Sequence, residues 1–194
     1  FVTPGSRVYD LGCSLGAGTL IAANACKEVN YEVIGVDNSP AMLAHCREAI
    51  ERHPPHATVR LMEADIRDVA VSQASLVILN FTLQFIPVSD RASLLRTLFE
   101  GLRPGGILIL SEKIHFESRE QEDLLYELHH DFKRCNGYSD LEISRKRTAL
   151  EDTLVTEPLA THCDRLREAG FAYVYPWFQC FNFTSLIARK PEET

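Results

Sequence analysis

The chain has 194 residues, of which 45% are hydrophobic and 24% are charged. This length and composition are typical of one globular domain with its own core, and they exclude a disordered or fibrous chain. The 20 basic and 27 acidic side chains give a net charge of −7, which disfavours direct nucleic-acid binding because phosphate contacts need a positive face. We also expect no membrane association, since no apolar run approaches the ~20 residues of a membrane span.

The six cysteines contain no CxxC pair, so their spacing predicts neither a zinc site nor a thioredoxin-like site, and we expect no metal. We interpret them as small buried apolar residues of a protein in a reducing cytoplasm. They lie at Cys13, Cys26, Cys46, Cys135, Cys163 and Cys180.

Short β-branched runs alternate with helical patterns over the first 113 residues. Ser39 and Pro40 form a helix start, with a capping hydroxyl followed by proline at the first helical position. Residues 103–106 form a turn signal. The predicted strands are 7–11, 31–37, 58–63, 74–81 and 106–113, and the predicted helices are 19–29, 40–52 and 89–102.

The alternation stops at residues 116–156, where no strand is predicted. Two capping boxes, Ser118 with Gln121 and Ser139 with Glu142, indicate two helices. A helix over 158–169 and strands over 171–177 and 181–189 complete the predicted order of elements.

The last two strands are separated by too few residues for a crossover, so they form an antiparallel hairpin. Five earlier strands joined by helices predict a parallel sheet covered on both faces. The fold class is therefore α/β, a doubly wound, mostly parallel seven-stranded sheet with a helical insertion. It resembles the Rossmann-like class I methyltransferase fold.

Ligands of such sheets bind at the carboxyl ends of the strands. Gly12 and Gly16 follow the first strand and allow a tight turn close to a ligand. An acid, Asp10, precedes this turn and no GxGxxG pattern is present, which favours a ligand with an amino-acid moiety over a pyrophosphate. The alternative is a plain strand-to-helix turn.

Polar side chains also end the next three strands. Asp37, followed by Asn38, is placed to accept both hydroxyl groups of a ribose, or else it caps the following helix. Asp65 could accept from an adenine amine while Ile66 packs on the ring, or it could form an Asx turn. Asn80 ends the fourth strand.

These strand ends resemble the S-adenosylmethionine (SAM) site of class I methyltransferases. The motifs DLGCSLG, DNSPAM, NFTLQF, LSEK, HHDFKRCNGYSDLEISRKR and WFQCFNF together resemble the carboxy-S-adenosyl-L-methionine synthase family over essentially the whole chain. The resemblance implies an enzyme that converts SAM and prephenate into carboxy-S-adenosylmethionine and phenylpyruvate. This product supplies the modification of the tRNA wobble uridine to 5-oxyacetyluridine by a second enzyme.

The resemblance also implies a site and an organisation. Residues 1–194 form one SAM-binding domain with the insertion at 116–156, in a cytoplasmic homodimer. The family carries a further N-terminal helical segment, which would precede Phe1. Arg147 contacts the new carboxylate, and the cofactor contacts are Gly12, Cys13, Ser14, Asp37, Asn38, Asp65, Ile66, Asn80 and Arg147.

The residues themselves are compatible with this chemistry. The insertion carries a basic cluster of Lys133, Arg134, Arg145, Lys146 and Arg147, and an arginine can bind a carboxylate with two hydrogen bonds. Arg145 and Arg147 point in different directions on a helix, and periodicity does not select one of them. A solvated helix face is the alternative. His129 and His130 are expected to be ordinary surface or core residues.

Two sets of apolar side chains are expected to be packing residues. The first lies on the helix that begins at Ser118 and consists of Leu124, Leu125, Leu128 and Phe132. The second should form the core of the C-terminal hairpin and consists of Trp177, Phe178, Phe181 and Phe183.

Two other functions fit the strand-end residues. One is an ordinary SAM-dependent methyltransferase acting on a small carboxylic acid. The other is a non-enzymatic SAM-binding module. Both would use the same cofactor contacts and would differ only in what happens to the methyl group.

Overall fold

A computed structural model describes residues 1–151 and 153–192, with side chains for 1–145 and 153–192. Seven strands form one sheet in the order β3-β2-β1-β4-β5-β7-β6. The strands are β1 (Arg7–Leu11), β2 (Glu32–Asp37), β3 (Thr58–Glu63), β4 (Ala74–Asn80), β5 (Leu102–Lys113), β6 (Tyr173–Cys180) and β7 (Phe183–Arg189).

Within the described residues, six helices connect these strands. They are α1 (Ala17–Asn24), α2 (Pro40–Arg52), α3 (Val88–Gly101), α4 (Arg119–Cys135), α5 (Asp140–Glu151) and α6 (Leu159–Glu168). Two short 3-10 helices, Ile66–Asp68 and Leu83–Phe85, follow β3 and β4.

Strands β1 to β5 pair in parallel, and β7 pairs antiparallel with both β5 and β6. Side chains alternate between the two faces of each strand, and buried Val8 and Tyr9 on β1 accordingly belong to separate core clusters. The predicted doubly wound α/β sheet with a C-terminal antiparallel hairpin is therefore confirmed.

Two predicted element ends are wrong for local reasons. Helix α1 ends at Asn24 rather than at residue 29, because the Tyr31 hydroxyl donates to the carbonyl of Ala22 and takes up that helix-end acceptor. The hairpin turns at Phe181 and Asn182 rather than at the predicted residues 178–180, because β6 continues to Cys180, which pairs with Phe183.

The predicted turn at residues 103–106 lies within β5. Ala74 pairs with Leu102 whereas Leu76 pairs with Ile107, so β5 bulges over these residues. Gly105 has a φ of 73° in this bulge, which is a backbone conformation that favours glycine. The sequence signal therefore marks a bulge inside a strand.

Helices α4 and α5 lie between β5 and α6. Both predicted caps form, since the hydroxyls of Ser118 and Ser139 accept from backbone N–H groups three residues later. The expectation that the apolar residues of α4 pack inside is wrong for Leu124, Leu128 and Phe132, which are 54%, 44% and 54% exposed, whereas Leu125 is half-buried.

The hairpin and cysteine interpretations also need correction. Trp177 and Phe178 are 59% and 56% exposed, so they are not hairpin core, whereas Phe181 and Phe183 are half-buried. All six cysteines are free, but only three of them are buried, since Cys26 is half-buried and Cys135 and Cys180 are exposed. In both cases apolar character alone did not determine which face of the element is covered.

Candidate functional site

A cavity of about 530 Å³ lies at the carboxyl ends of β1 to β4, and we call it the strand-end cavity. Its volume lies in the range of small-molecule sites. It contains seven of the nine residues that the sequence predicts for the site. These are Gly12, Ser14, Asp37, Asn38, Asp65, Ile66 and Asn80.

Gly12 brings the turn after β1 close to the loop after β4. It has a φ of 82°, and a Cβ atom at this position would collide with the side chain of Thr82. Ser14 also has a positive φ of 48°. A larger residue at position 12 would therefore push apart the two loops that line the cavity.

Cys13 lies beneath the turn and does not line the strand-end cavity. It is 5% exposed, and burial raises the pKa of its thiol. Because a buried thiol of this kind stays protonated, Cys13 is a packing residue of the turn. Its backbone N–H donates to the carbonyl of Val36 and fixes the turn against β2.

Asp10 does not face the ligand position that its place before the turn suggests. It is 2% exposed and accepts a hydrogen bond of 2.7 Å from the Thr19 hydroxyl. Burial raises the pKa of its carboxyl group. Asp10 therefore ties β1 to α1, and it is not the carboxylate that meets an ammonium group.

Asp37 stands at the end of β2 with both carboxylate oxygens oriented by backbone groups. One oxygen accepts from the Ser14 N–H and the other from the Ser39 N–H, each at 2.9 Å. A carboxylate has about four lone-pair positions, so one position on each oxygen stays available. Asp37 can thus accept two hydroxyl groups at the cavity surface.

Asp65 forms the Asx turn that the sequence allowed as an alternative. Its carboxylate accepts from the backbone and the guanidinium of Arg67, which lowers the pKa of Asp65. Arg67 also pairs with Asp90 at 2.7 Å. One acceptor position on Asp65 Oδ2 is left by these bonds, enough for a single amine hydrogen.

The loop after β4 supplies further lining residues that sequence reasoning missed. They are Phe81, Thr82, Phe85, Ile86 and Pro87. The signal that could have found them is their position directly after a buried parallel strand.

Buried Glu112 on β5 holds this loop in place. Its two carboxylate oxygens accept from the N–H groups of Leu83 and Gln84 at 2.9 and 3.0 Å. Burial raises the pKa of Glu112 to about 8. No sequence signal marks this role, because Glu112 and the loop are far apart along the chain.

The side chain of Arg147 lies outside the described residues. Among its predicted neighbours, Arg145 is exposed, and Arg134 pairs with Asp131 and Asp140 at 2.7 and 2.8 Å. The alternative of a solvated helix face therefore holds for Arg134.

Other features of the described residues lie away from this site. No described helix is long and apolar enough to span a membrane, and no three His, Cys, Asp or Glu side chains within 1–145 and 153–192 are grouped to hold a metal ion.

A larger cavity of about 1100 Å³ lies near the starts of β4 and β5, where Lys190 donates to main-chain carbonyls. That is the end opposite to the ligand sites of such sheets.

The comparisons with known proteins agree with this geometry. A methyltransferase domain family matches residues 8–106. Carboxy-S-adenosyl-L-methionine synthases of Escherichia fergusonii and Escherichia coli are 52% identical to this chain, and the matches cover 100% of the chain and 78% of each relative.

Solved structures share the fold at low sequence identity. An O-methyltransferase family protein from Burkholderia thailandensis aligns over 97% of this chain and 52% of its own length, with a TM-score of 0.71 and 17% identity. A magnesium protoporphyrin IX methyltransferase from Synechocystis, solved with bound SAM, aligns over 96% of this chain and 71% of its own length, with a TM-score of 0.63 and 18% identity. The chain belongs to the carboxy-S-adenosyl-L-methionine synthase family, within the methyltransferase-domain proteins.

Proposed function

We propose that the chain converts SAM and prephenate into carboxy-S-adenosylmethionine and phenylpyruvate. The 52% identity to synthases of this name supports the proposal. That identity is the observation that carries the choice of reaction, and the strand-end cavity supports the binding of SAM, because Asp37 keeps two acceptor positions there for a ribose. The product would serve a second enzyme that forms 5-oxyacetyluridine at the tRNA wobble position.

Each part of SAM has a candidate partner among the residues that line the cavity. Asp37 and Asn38 would hold the ribose hydroxyls, and Asp65 the adenine amine with Ile66 against the ring. The turn of Gly12 and Ser14 would lie along the amino-acid moiety, and Asn80 would lie at the end of β4 nearest the reacting group. Cys13 would contribute through its backbone only, because its side chain is buried.

Bound SAM supplies an electron-poor sulfonium whose methyl group becomes carboxylated. The chain's own part is to position both substrates, to exclude water and to place positive charge near a carboxylate. We assign the last role to Arg147, whose guanidinium is suited to a bidentate pair. The proton of the methyl group would leave with the ring hydroxyl of prephenate as water, while the ring carboxyl moves to the methyl carbon.

We further propose a cytoplasmic homodimer built from 1–194 as one SAM-binding domain, with the insertion at 116–156. Exposed Leu124, Leu128 and Phe132 on α4 support an interface there. The net charge of −7 supports a small-molecule substrate without direct nucleic-acid binding.

Mass spectrometry of SAM after incubation with the chain and prephenate tests the reaction. The proposal predicts SAM with one added carboxyl group, together with phenylpyruvate. Loss of the methyl group with methylation of a carboxylic acid would instead identify an ordinary methyltransferase. Unchanged SAM would identify a binding module.

A further inference from the structure

A second cavity of about 350 Å³ adjoins the strand-end cavity. The two cavities share Asn80 and Phe81 at the end of β4. We call the second one the aromatic cavity, because rings form its walls and hydroxyl groups form its floor. The rings are Phe81, Trp177, Phe178 and Phe183, and the hydroxyls include Ser111 and Ser185.

A row of side chains crosses four strands along this floor. Strand register places Asn80 opposite Ser111, Ser111 opposite Ser185, and Ser185 opposite Phe178. Directly opposed residues share one face of a sheet. The row therefore leads from the strand-end cavity across β5 and β7 to the aromatic wall on β6.

The floor keeps a hydrogen-bond donor for a ligand. The hydroxyl oxygens of Ser111 and Ser185 are 2.9 Å apart, and Trp177 Nε1 donates to Ser185 at 2.9 Å. Two hydroxyl groups carry two hydrogens, and the bond between them uses one. The other hydrogen can point to an oxygen in the cavity.

Phe81 forms the wall between the two cavities in a strained conformation. Its φ of 58° is an outlier for a bulky side chain, and its N–H donates to the Ser111 carbonyl at 2.7 Å. The ring packs edge-on against Phe183 with centroids 5.7 Å apart. Strain of this kind is concentrated at ligand sites, and here it places one ring in contact with both cavities.

A cation lies on the same side of the sheet. Lys113 follows Ser111 by two residues on β5 and is opposite Phe183 in register, so it shares the face of the cavity floor. Its ammonium group forms no ion pair with the residues described in 1–145 and 153–192. Lys113 can therefore pair with a ligand carboxylate.

We propose that the aromatic cavity binds the ring of the cyclic carboxylate that reacts with SAM, and that Lys113 pairs with a carboxylate of this molecule. The inference rests on the proposed function and adds the place where the second substrate binds. A flat unsaturated ring packs well on aromatic side chains. The shared Asn80 and Phe81 put that ring beside the reacting end of SAM.

The fluorescence of Trp177, the one tryptophan of the chain, tests this site directly. Phenyllactate, a stable analogue of phenylpyruvate, should change the emission with saturation. Phe178→Ala should weaken phenyllactate binding about tenfold, the loss of one aromatic contact. Tyr175→Ala is the matched control, because Tyr175 is also on β6 and is 59% exposed against 56% for Phe178. The phenyllactate affinity of Tyr175→Ala should stay within twofold of wild type. The affinity for SAM should be unchanged in both variants.

Phenyllactate binding within twofold of wild type in Phe178→Ala would overturn the inference. So would an emission change that follows protein concentration instead of phenyllactate, which would mean that a second copy covers the rings. If wild type forms carboxy-S-adenosylmethionine and Phe178→Ala leaves the KM for prephenate unchanged, the cavity is wrong and the reaction stands. If no carboxylated product forms but the binding results hold, the reaction is wrong and the cavity stands.

Discussion

Arg91 and Glu157 form an ion pair in which the Arg91 guanidinium is fully buried. Arg91 lies on α3 and also donates to the carbonyls of Gln84 and Val155. Glu157 follows the insertion and also accepts from Arg165 on α6. The pair therefore ties the loop that lines the strand-end cavity to the point where the insertion returns to the sheet.

Glu157→Gln should lower the free energy of unfolding by about 3–5 kcal/mol, because it leaves a buried guanidinium without its counter-charge. Urea unfolding at neutral pH measures this. Asp164→Asn is the control, since the Arg167–Asp164 pair is more than half exposed and should contribute less than about 1 kcal/mol. Equal losses in the two variants would show that Glu157 does not anchor the insertion.

Asp37→Ala should weaken SAM binding by about 100-fold or more, because the ribose contacts proposed for Asp37 are two charge-assisted hydrogen bonds. Calorimetric titration measures the affinity. Asp68→Ala should leave it unchanged, since exposed Asp68 does not line the cavity. If Asp37→Ala lowers the SAM affinity only a few-fold, Asp37 does not bind the ribose and serves only to cap the start of α2.

Glu112 should make stability fall as the pH rises. Its pKa is 4.5 in the unfolded chain and about 8 in the folded chain, so the folded state binds more protons between these values. Relative to Glu112→Gln, wild type should therefore lose up to about 1.4 kcal/mol of unfolding free energy per pH unit from pH 4.5 to 8. Urea unfolding across this range checks the slope, with exposed Glu63→Gln as the control. A pH-independent difference would contradict a buried, protonated Glu112.

His162 should act in the opposite direction. It is 2% exposed, neither ring nitrogen has a hydrogen-bond partner among the described residues, and burial lowers its pKa to about 4. The unfolded state then binds more protons between pH 4 and 6.5, so wild type should lose stability as the pH falls through this window. His162→Leu should remove this dependence in thermal or urea unfolding, whereas exposed His45→Gln should keep it. An unchanged acid slope in His162→Leu would show that another group is responsible.

Arg147→Ala should weaken carboxy-S-adenosylmethionine much more than SAM, because only the former carries the carboxylate that a guanidinium pairs with. The loss of a bidentate pair corresponds to about 2–5 kcal/mol. Arg147→Lys should restore only part of it, and exposed Arg145→Ala should do little. Titration of both ligands against the three variants measures these affinities. Equal losses of affinity for the two ligands would favour an ordinary methyltransferase.

Local signals predicted the elements that local chemistry controls. The Ser39 cap and the following proline gave α2 its observed bounds, and turn residues separated the strands. Asp10 and Asp37 both belong to strands at the predicted site, and their roles differ because one side chain is buried under α1 and the other is oriented by backbone N–H groups. That difference depends on the packed neighbours, which strand periodicity does not specify.

Sequence patterns do not predict contacts between segments that are distant along the chain. Gly12 approaches Thr82, and Glu112 holds the N–H groups of Leu83 and Gln84, but neither pairing has a fixed spacing in the chain. Position at the strand ends predicted Gly12, Asp37, Asp65 and Asn80, and the family resemblance added Ser14. The loop after β4 and its support by Glu112 are visible only in the folded structure.

The most direct measurement follows the carboxyl group itself. Prephenate carrying an isotopic label in its ring carboxylate is incubated with the chain and unlabelled SAM, and the products are examined by mass spectrometry. The proposed reaction predicts that the label appears in carboxy-S-adenosylmethionine and that phenylpyruvate forms in equal amount. Label released only as carbon dioxide, with SAM recovered unchanged or demethylated, would contradict it.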